Sequence, residues 1–242
     1  MCGIAGTIGQ AASASVLDAM LDAEVHRGPD GHGRWEAALA PGRQIRLGHR
    51  RLSILDLSEA GAQPMADAGG DFVLTYNGEI YNYLEVRAEL AASGVVFRSH
   101  SDTEVLLEAY KRWGAECLKR FNGMFAFALY DRPRGVLFCA RDRYGEKPFL
   151  FGTGRDFFAF ASEYKALLQH PGLSLDYDEL RLVRAAYNQS TGLDGDRQTL
   201  FNDVQQLLPG EAMEVDVRTL QRRIWSYWSL QPGSHAQVAD EG

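Results

Sequence analysis

The sequence predicts an α+β domain in which stacked sheets are covered by helices. Three observations predict it. Short apolar runs bounded by Gly, Pro, Asn and Asp recur along the chain and read as strands. Helix-spaced segments stand between groups of these runs rather than between every pair, unlike a repeating parallel βαβ pattern. The chain has 242 residues, 45% of them apolar, which suffices for a sizeable core without disulfides or metals.

The elements follow in order. Gly3 to Ile8 reads as a strand, and Ser13 caps a helix with Val16, Leu17, Met20, Leu21 and Val25 at helical spacing. His26-Arg27-Gly28-Pro29-Asp30-Gly31 is turn chemistry. Strands over Gly33–Leu39 and Gln44–Ile54 are broken by Pro41-Gly42, and Ala60–Gly70 reads as a loop. Asp71–Tyr76 is a strand ending at Asn77-Gly78. Asn82 caps a helix to Ala92 that Gly94 stops, and Asp102 caps another through Trp113. Met124–Tyr130, Gly135–Ala140, Phe149–Gly152 and Phe157–Ala161 are strands, the first two joined by the turn Asp131-Arg132-Pro133-Arg134-Gly135. A short helix covers Ser162–Gln169 and another Asp178–Ala186, followed by a loop over Asn188–Gln198. Ala212–Val217 and Arg222–Trp228 form a last hairpin, and Ser229–Gly242 is a polar tail.

A net charge of −7 offers nothing that attracts nucleic acid or an anionic membrane. Three cysteines, Cys2, Cys117 and Cys139, form no disulfide framework and point to a reducing cytoplasm. No apolar run reaches the length of a membrane span, and no basic, apolar leader precedes Cys2. The six histidines show no metal spacing, so no metal is expected. Cys117 and Cys139 lie in apolar surroundings and read as inert core residues.

Cys2 is different. Once Met1 is removed, thiol and free α-amine share one residue, with reference pKa values of ~8.5 and ~7.7–8.0. The amine can then act as general base for the adjacent nucleophile, as a histidine does in other hydrolases. Three further stretches hold candidate polar groups. Asn77 and Gly78 at a strand end can aim two donors at one point, as an oxyanion hole needs, or form a plain Asn-Gly turn. Arg51 can fork onto a carboxylate or stand exposed. Asp102 can bind an ammonium group and also cap its helix.

Read together, these residues belong to an ordered set: Met1-Cys2-Gly3-Ile4-Ala5-Gly6, His26-Arg27-Gly28-Pro29-Asp30, Arg51-Leu52-Ser53-Ile54 with Asp56-Leu57, Gln63-Pro64-Met65, Tyr76-Asn77-Gly78-Glu79-Ile80-Tyr81-Asn82, Ser101-Asp102-Thr103-Glu104, Gly123–Ala128, Ala140–Pro148 and Ala161–Leu167. The set closely resembles the class II glutamine amidotransferase domain of glutamine-hydrolysing asparagine synthetases, from Met1 to about Trp228. The resemblance implies an N-terminal-nucleophile hydrolase fold, an αββα sandwich of two mostly antiparallel sheets between helical layers. It implies Cys2 as nucleophile with its own amine as base, and Asn77 and Gly78 as the oxyanion hole. Arg51 would hold the α-carboxylate of L-glutamine and Asp102 its α-ammonium, with Glu79 completing that pocket. His26–Asp30 and Ala140–Pro148 would be scaffolding.

The family continues into an ATP-binding synthetase domain whose Ser-Gly-Gly-x-Asp-Ser signature does not occur here. The expected organisation is therefore a glutaminase domain over residues 1–228 and a polar tail or linker over 229–242. The domain itself is expected to need no cofactor, ATP and Mg belonging to the synthetase domain. The implied partners are L-glutamine and an ATP-dependent synthetase domain or subunit, with a homodimer through the full-length protein as a further option. Released ammonia would amidate a carboxylate, aspartate first. The alternatives are another acceptor in polysaccharide or natural-product assembly, or a non-catalytic assembly domain. Glu146 departs from the family's apolar or small residue and is expected to face solvent.

Overall fold

The computed structural model of the protein describes residues 1–10, 13–40, 42–52, 61–187 and 195–230. Its elements run β1 (Gly3–Gly9), α1 (Ala14–Ala23), β2 (Gly31–Ala40), β3 (Arg43–Arg51), β4 (Met65–Ala66), β5 (Phe72–Ile80), α2 (Tyr83–Ala92), α3 (Asp102–Trp113), β6 (Gly123–Asp131), β7 (Val136–Arg141), β8 (Leu150–Thr153), β9 (Phe157–Ala161), α4 (Tyr164–Leu167), α5 (Glu179–Tyr187), β10 (Val204–Gln206), β11 (Glu211–Asp216) and β12 (Arg222–Ser226). Ser53–Leu57 of the quoted motifs, most of the loop expected from Asn188, and the tail beyond Leu230 lie outside the described residues.

The strands form two six-stranded sheets, in the orders β10-β8-β9-β1-β3-β2 and β12-β11-β7-β6-β5-β4, with antiparallel neighbours throughout. Three apolar interfaces separate four layers. Leu17, Met20 and Leu21 of α1 and Leu167 of α4 cover Ala5, Ala159 and Ala161 of the first sheet. Ile4, Ile8, Ile45 and Leu47 of that sheet meet Val73, Ala126, Ala128 and Met213 of the second. Val86 and Leu90 of α2 and Val105, Leu106 and Tyr110 of α3 pack on Leu74, Tyr76, Phe127 and Phe138 on its far side. This is the αββα sandwich of the N-terminal-nucleophile hydrolases. Strand β6 shows how the sequence specifies the middle of it. Large Phe125, Phe127 and Leu129 face the helices, while small Ala126 and Ala128 let the sheets approach.

The same period of two places the site. Ile45 and Leu47 on β3, Ile4 on β1 and Val73 on β5 point between the sheets. Counting by two toward one end of the sandwich reaches Cys2 before β1, His49 and Arg51 on β3, and Thr75, Asn77 and Glu79 on β5. At that end polar ties replace apolar contact. Thr75 Oγ1 donates to the Gly48 carbonyl at 2.9 Å, and His49 Nε2 lies 3.1 Å from the Tyr76 carbonyl.

Several local expectations are corrected. Strand β5 does not end at Asn77-Gly78. It continues to Ile80, pairing Asn77 with Ala126 and Gly78 with Phe125, because nine residues of cross-strand pairing override a two-residue turn preference. Ser101, not Asp102, caps α3, its hydroxyl accepting from Glu104 N at 3.3 Å. Asn82 stands at the N-cap of α2 but makes no capping bond. Its amide instead ties the chain to Arg120 O and Asn122 N at 2.9 and 2.8 Å. The Ala60–Gly70 loop contains β4, and β10 is a further strand the sequence does not announce. Val25 lies past the end of α1 and is exposed, whereas Glu146 is exposed as expected.

Gly78 has a steric role in this pairing. A Cβ there would collide with the Met124 carbonyl and lie 2.7 Å from Phe125 Cα. Both obstacles are backbone, so the strand pair itself would have to part. Gly78→Ala is expected to destabilise the domain by about 2 kcal/mol or more, lowering Tm by roughly 4–8 °C in a thermal melt. An unchanged Tm would show that the two strands can separate without cost.

Candidate active site

Cys2 lies at the sandwich end just before β1. Leu52 N donates to its Sγ at 3.4 Å, and the thiol faces Leu52 O at 3.7 Å. Burial raises the thiol pKa. The Leu52 backbone hydrogen bond, the chain's amino terminus, Arg27 and Arg51 partly oppose that rise. Arg27 secures the segment from behind, with Nε on the Cys2 carbonyl and Nη1 on Glu163 Oε1, both at 2.9 Å. The His26–Asp30 turn thus acts as a clamp on the Cys2 segment, a more specific role than general scaffolding.

All six residues singled out in the sequence, Cys2, Arg51, Asn77, Gly78, Glu79 and Asp102, line one cleft. Met1 lines it too. Asn77 is buried, and its side-chain nitrogen has no hydrogen-bond partner among the described residues. A buried unpaired donor costs about 1–3 kcal/mol, so one retained beside a thiol is a feature to explain.

Asp102 reaches this cleft because Ser101 relieves it of capping. Its Oδ2 accepts from Tyr76 Oη at 2.7 Å and from Ile80 N at 3.0 Å. These bonds cross from α3 to β5 and fix the carboxylate. Burial raises its pKa, while the bonds from Ile80 and Tyr76 work against the rise. Glu104 ties down the preceding turn through Ser99 N and Arg98 N at 2.6 and 2.9 Å.

The cleft also has members that motif reading passed over. Gln63 Oε1 accepts from Tyr76 N at 2.7 Å, joining the loop before β4 to β5. His49 is wholly buried, and burial pushes its pKa down to about 3, so its ring is neutral and unsuited to proton cycling near neutrality. Lys147 enters from the Ala140–Pro148 turn. That turn is organised by Asp142, whose carboxylate accepts from Phe125 N, Tyr144 N, Glu146 N and Lys147 N. Gln63, Asp142 and Lys147 sit inside quoted motifs and His49 two residues before one, but only the folded arrangement separates lining from support. Cys117 and Cys139 are fully buried, and burial raises both thiols well above their ordinary range. Cys2 is the accessible thiol of the three.

Among the described residues, no helix is long and apolar enough to cross a membrane, and no group of three or more His, Cys, Asp or Glu is placed to hold a metal ion.

Residues 1–228 match the family described as the glutamine amidotransferase domain. Asparagine synthetase [glutamine-hydrolyzing] 3 of Bacillus subtilis is 36% identical over 250 residues, covering 100% of the chain and 39% of that protein. Amidase chry2 of Gibberella zeae is 35% identical over 215 residues, covering 89% of the chain and 30% of that protein. The chain therefore spans well under half the length of these relatives. The solved structure of glutamine phosphoribosylpyrophosphate amidotransferase from B. subtilis superposes with a TM-score of 0.62 at 20% identity, over 92% of the chain and 49% of that structure, and shares the fold. On the match over nearly its whole described length, the chain belongs to the glutamine amidotransferase domain family.

Proposed function

We propose that this chain is the glutaminase half of an asparagine-synthetase-type amidotransferase. The observation that carries the reading is the meeting of Cys2, Asn77, Arg51, Glu79 and Asp102 in one cleft. Free glutamine is a zwitterion. Its recognition calls for a cation and an anion at fixed separation, which Arg51 and Asp102 provide, with Glu79 beside them. Its amide is neutral and becomes an oxyanion only when attacked. Neutral donors at Asn77 and Gly78 suit that change.

The steps follow from those positions. Removal of Met1 frees the Cys2 α-amine and clears a side chain from the cleft lining. The amine takes the thiol proton, and Sγ attacks the amide carbon. The tetrahedral oxyanion is held by Asn77 Nδ2 and Gly78 N–H. Its collapse expels ammonia, with the proton returned from the amine, and leaves a γ-glutamyl thioester. Water, activated by the same amine, releases glutamate and restores the thiol. The domain needs no cofactor for this. Ammonia passes to an ATP-dependent synthetase partner that amidates a carboxylate, aspartate in the leading reading. The relative named amidase chry2 favours a second reading, with the same glutaminase chemistry and another acceptor.

The test is glutamate release from L-glutamine by purified chain shown by mass spectrometry to lack Met1. Trimmed, folded chain that releases none would overturn the reading. Arg51→Ala refines it. The carboxylate contact is made in the ground state as well as the transition state, so KM is expected to rise by about tenfold or more with a smaller fall in kcat. A tenfold drop in kcat at unchanged KM would remove Arg51 from the carboxylate.

A further inference from the structure

Behind the nucleophile lies an acid that the mechanism above does not use. Glu24, at the C-cap of α1, is fully buried. Its Oε1 accepts from Ser162 N at 3.0 Å and Glu163 N at 3.1 Å. Its Oε2 has no hydrogen-bond partner among the described residues. That oxygen is packed against Gly3, the residue after Cys2, where an added Cβ would lie 2.5 Å from it. The same Ser162 exchanges bonds with Ile4, accepting from Ile4 N and donating to Ile4 O, both at 2.9 Å. The Glu163 it fixes is the partner of Arg27, which holds the Cys2 carbonyl. Glu24 thus supports the Cys2-Gly3-Ile4 segment from two sides.

We propose that Glu24 is a positioning residue for Cys2 that works in its neutral, protonated form, and that its ionisation switches the nucleophile off. This rests on the reading of Cys2 as nucleophile. A neutral carboxyl holds the Ser162–Glu163 turn without adding charge behind the thiol. An ionised one places a buried negative charge against Gly3, one residue along β1 from a centre that must itself become a thiolate and then carry an oxyanion. The low local dielectric makes that repulsion strong.

The groups facing Glu24 are few. Arg27, from the turn after α1, favours ionisation, and Glu163, from the turn before α4, opposes it. Glu163 is in turn bound by Arg27 and His26 and lies 3.4 Å from Lys165. Burial outweighs these and pushes the Glu24 pKa up to about 8. The acid is therefore neutral at neutral pH and ionises in the mildly alkaline range.

The test compares trimmed wild type with E24Q and with E24M, two neutral side chains of similar length. Glutamate release and site-resolved alkylation of Cys2 by iodoacetamide are followed against pH. One unit above its pKa a carboxyl is about nine-tenths ionised, so wild-type kcat is expected to fall about tenfold from its maximum by about pH 9. Neither variant is expected to show that fall: E24Q, whose amide oxygen can still accept from Ser162 N and Glu163 N, keeps the wild-type maximum, whereas E24M, which cannot, has a lower one, with KM unchanged in both. The alkylation midpoint of Cys2 is expected to move down by about half a pH unit or more in both, since a neighbouring negative charge has gone. Variants that keep the wild-type alkaline fall and midpoint would overturn the proposal and leave the glutaminase reading standing. A shifted midpoint in a chain that releases no glutamate would uphold Glu24 and overturn the glutaminase reading instead.

Discussion

Cys2→Ala is expected to reduce glutamate release from L-glutamine to the level of buffer alone while the domain stays folded. Among the described residues the thiol makes two hydrogen-bond contacts, both with Leu52 at 3.4 Å or longer, so its loss costs little. Nothing else in the cleft replaces it. Cys117 and Cys139 are sealed in apolar clusters, and the neutral His49 ring is already engaged with the Tyr76 carbonyl. The measurement is a coupled glutamate assay beside wild type, with thermal melts of both. Residual turnover above about a thousandth of wild type would assign the nucleophile elsewhere.

Asn77→Ala is expected to lower kcat by about 10²–10³, the usual loss for one oxyanion donor, with KM changed far less. Asn77 Nδ2 is buried and has no partner among the described residues, so it is free to serve the charge that develops on the substrate oxygen, where its bond is strongest. The fold is expected to tolerate the change, since the removed amide was not bonded through its nitrogen. Equal losses in binding and turnover would instead make Asn77 a ground-state contact.

Much of this arrangement is legible in the sequence. Strand existence in β1, β6, β7 and β9 followed from apolar runs, and the α1 cap at Ser13 followed from residue type, with Val16 N donating to its hydroxyl at 3.3 Å. The six cleft residues were legible through ordered motifs rather than through periodicity. What was not legible depended on partners distant in sequence. The Asn77-Gly78 pair reads locally as a turn, and only β6 lying alongside makes it strand. Asp102 reads as a cap because nothing nearby in sequence says that Ser101 does that work and that Tyr76 waits for the carboxylate. Glu24 reads as one more polar residue at the end of a helix. Its burial is decided by β1 and by the Ser162–Glu163 turn, 138 and 139 residues away.

The central place of β1 has a consequence for how the enzyme is made. β1 is flanked by β3 on one side and by β9, Phe157–Ala161, on the other. A chain growing on the ribosome at about 5–20 residues per second needs on the order of ten to thirty seconds to produce that second neighbour. Until then the first residues have no completed slot to occupy. Throughout that interval β1 and the Cys2 before it lack one of their two flanking strands, so the site end of the sandwich closes only late in synthesis.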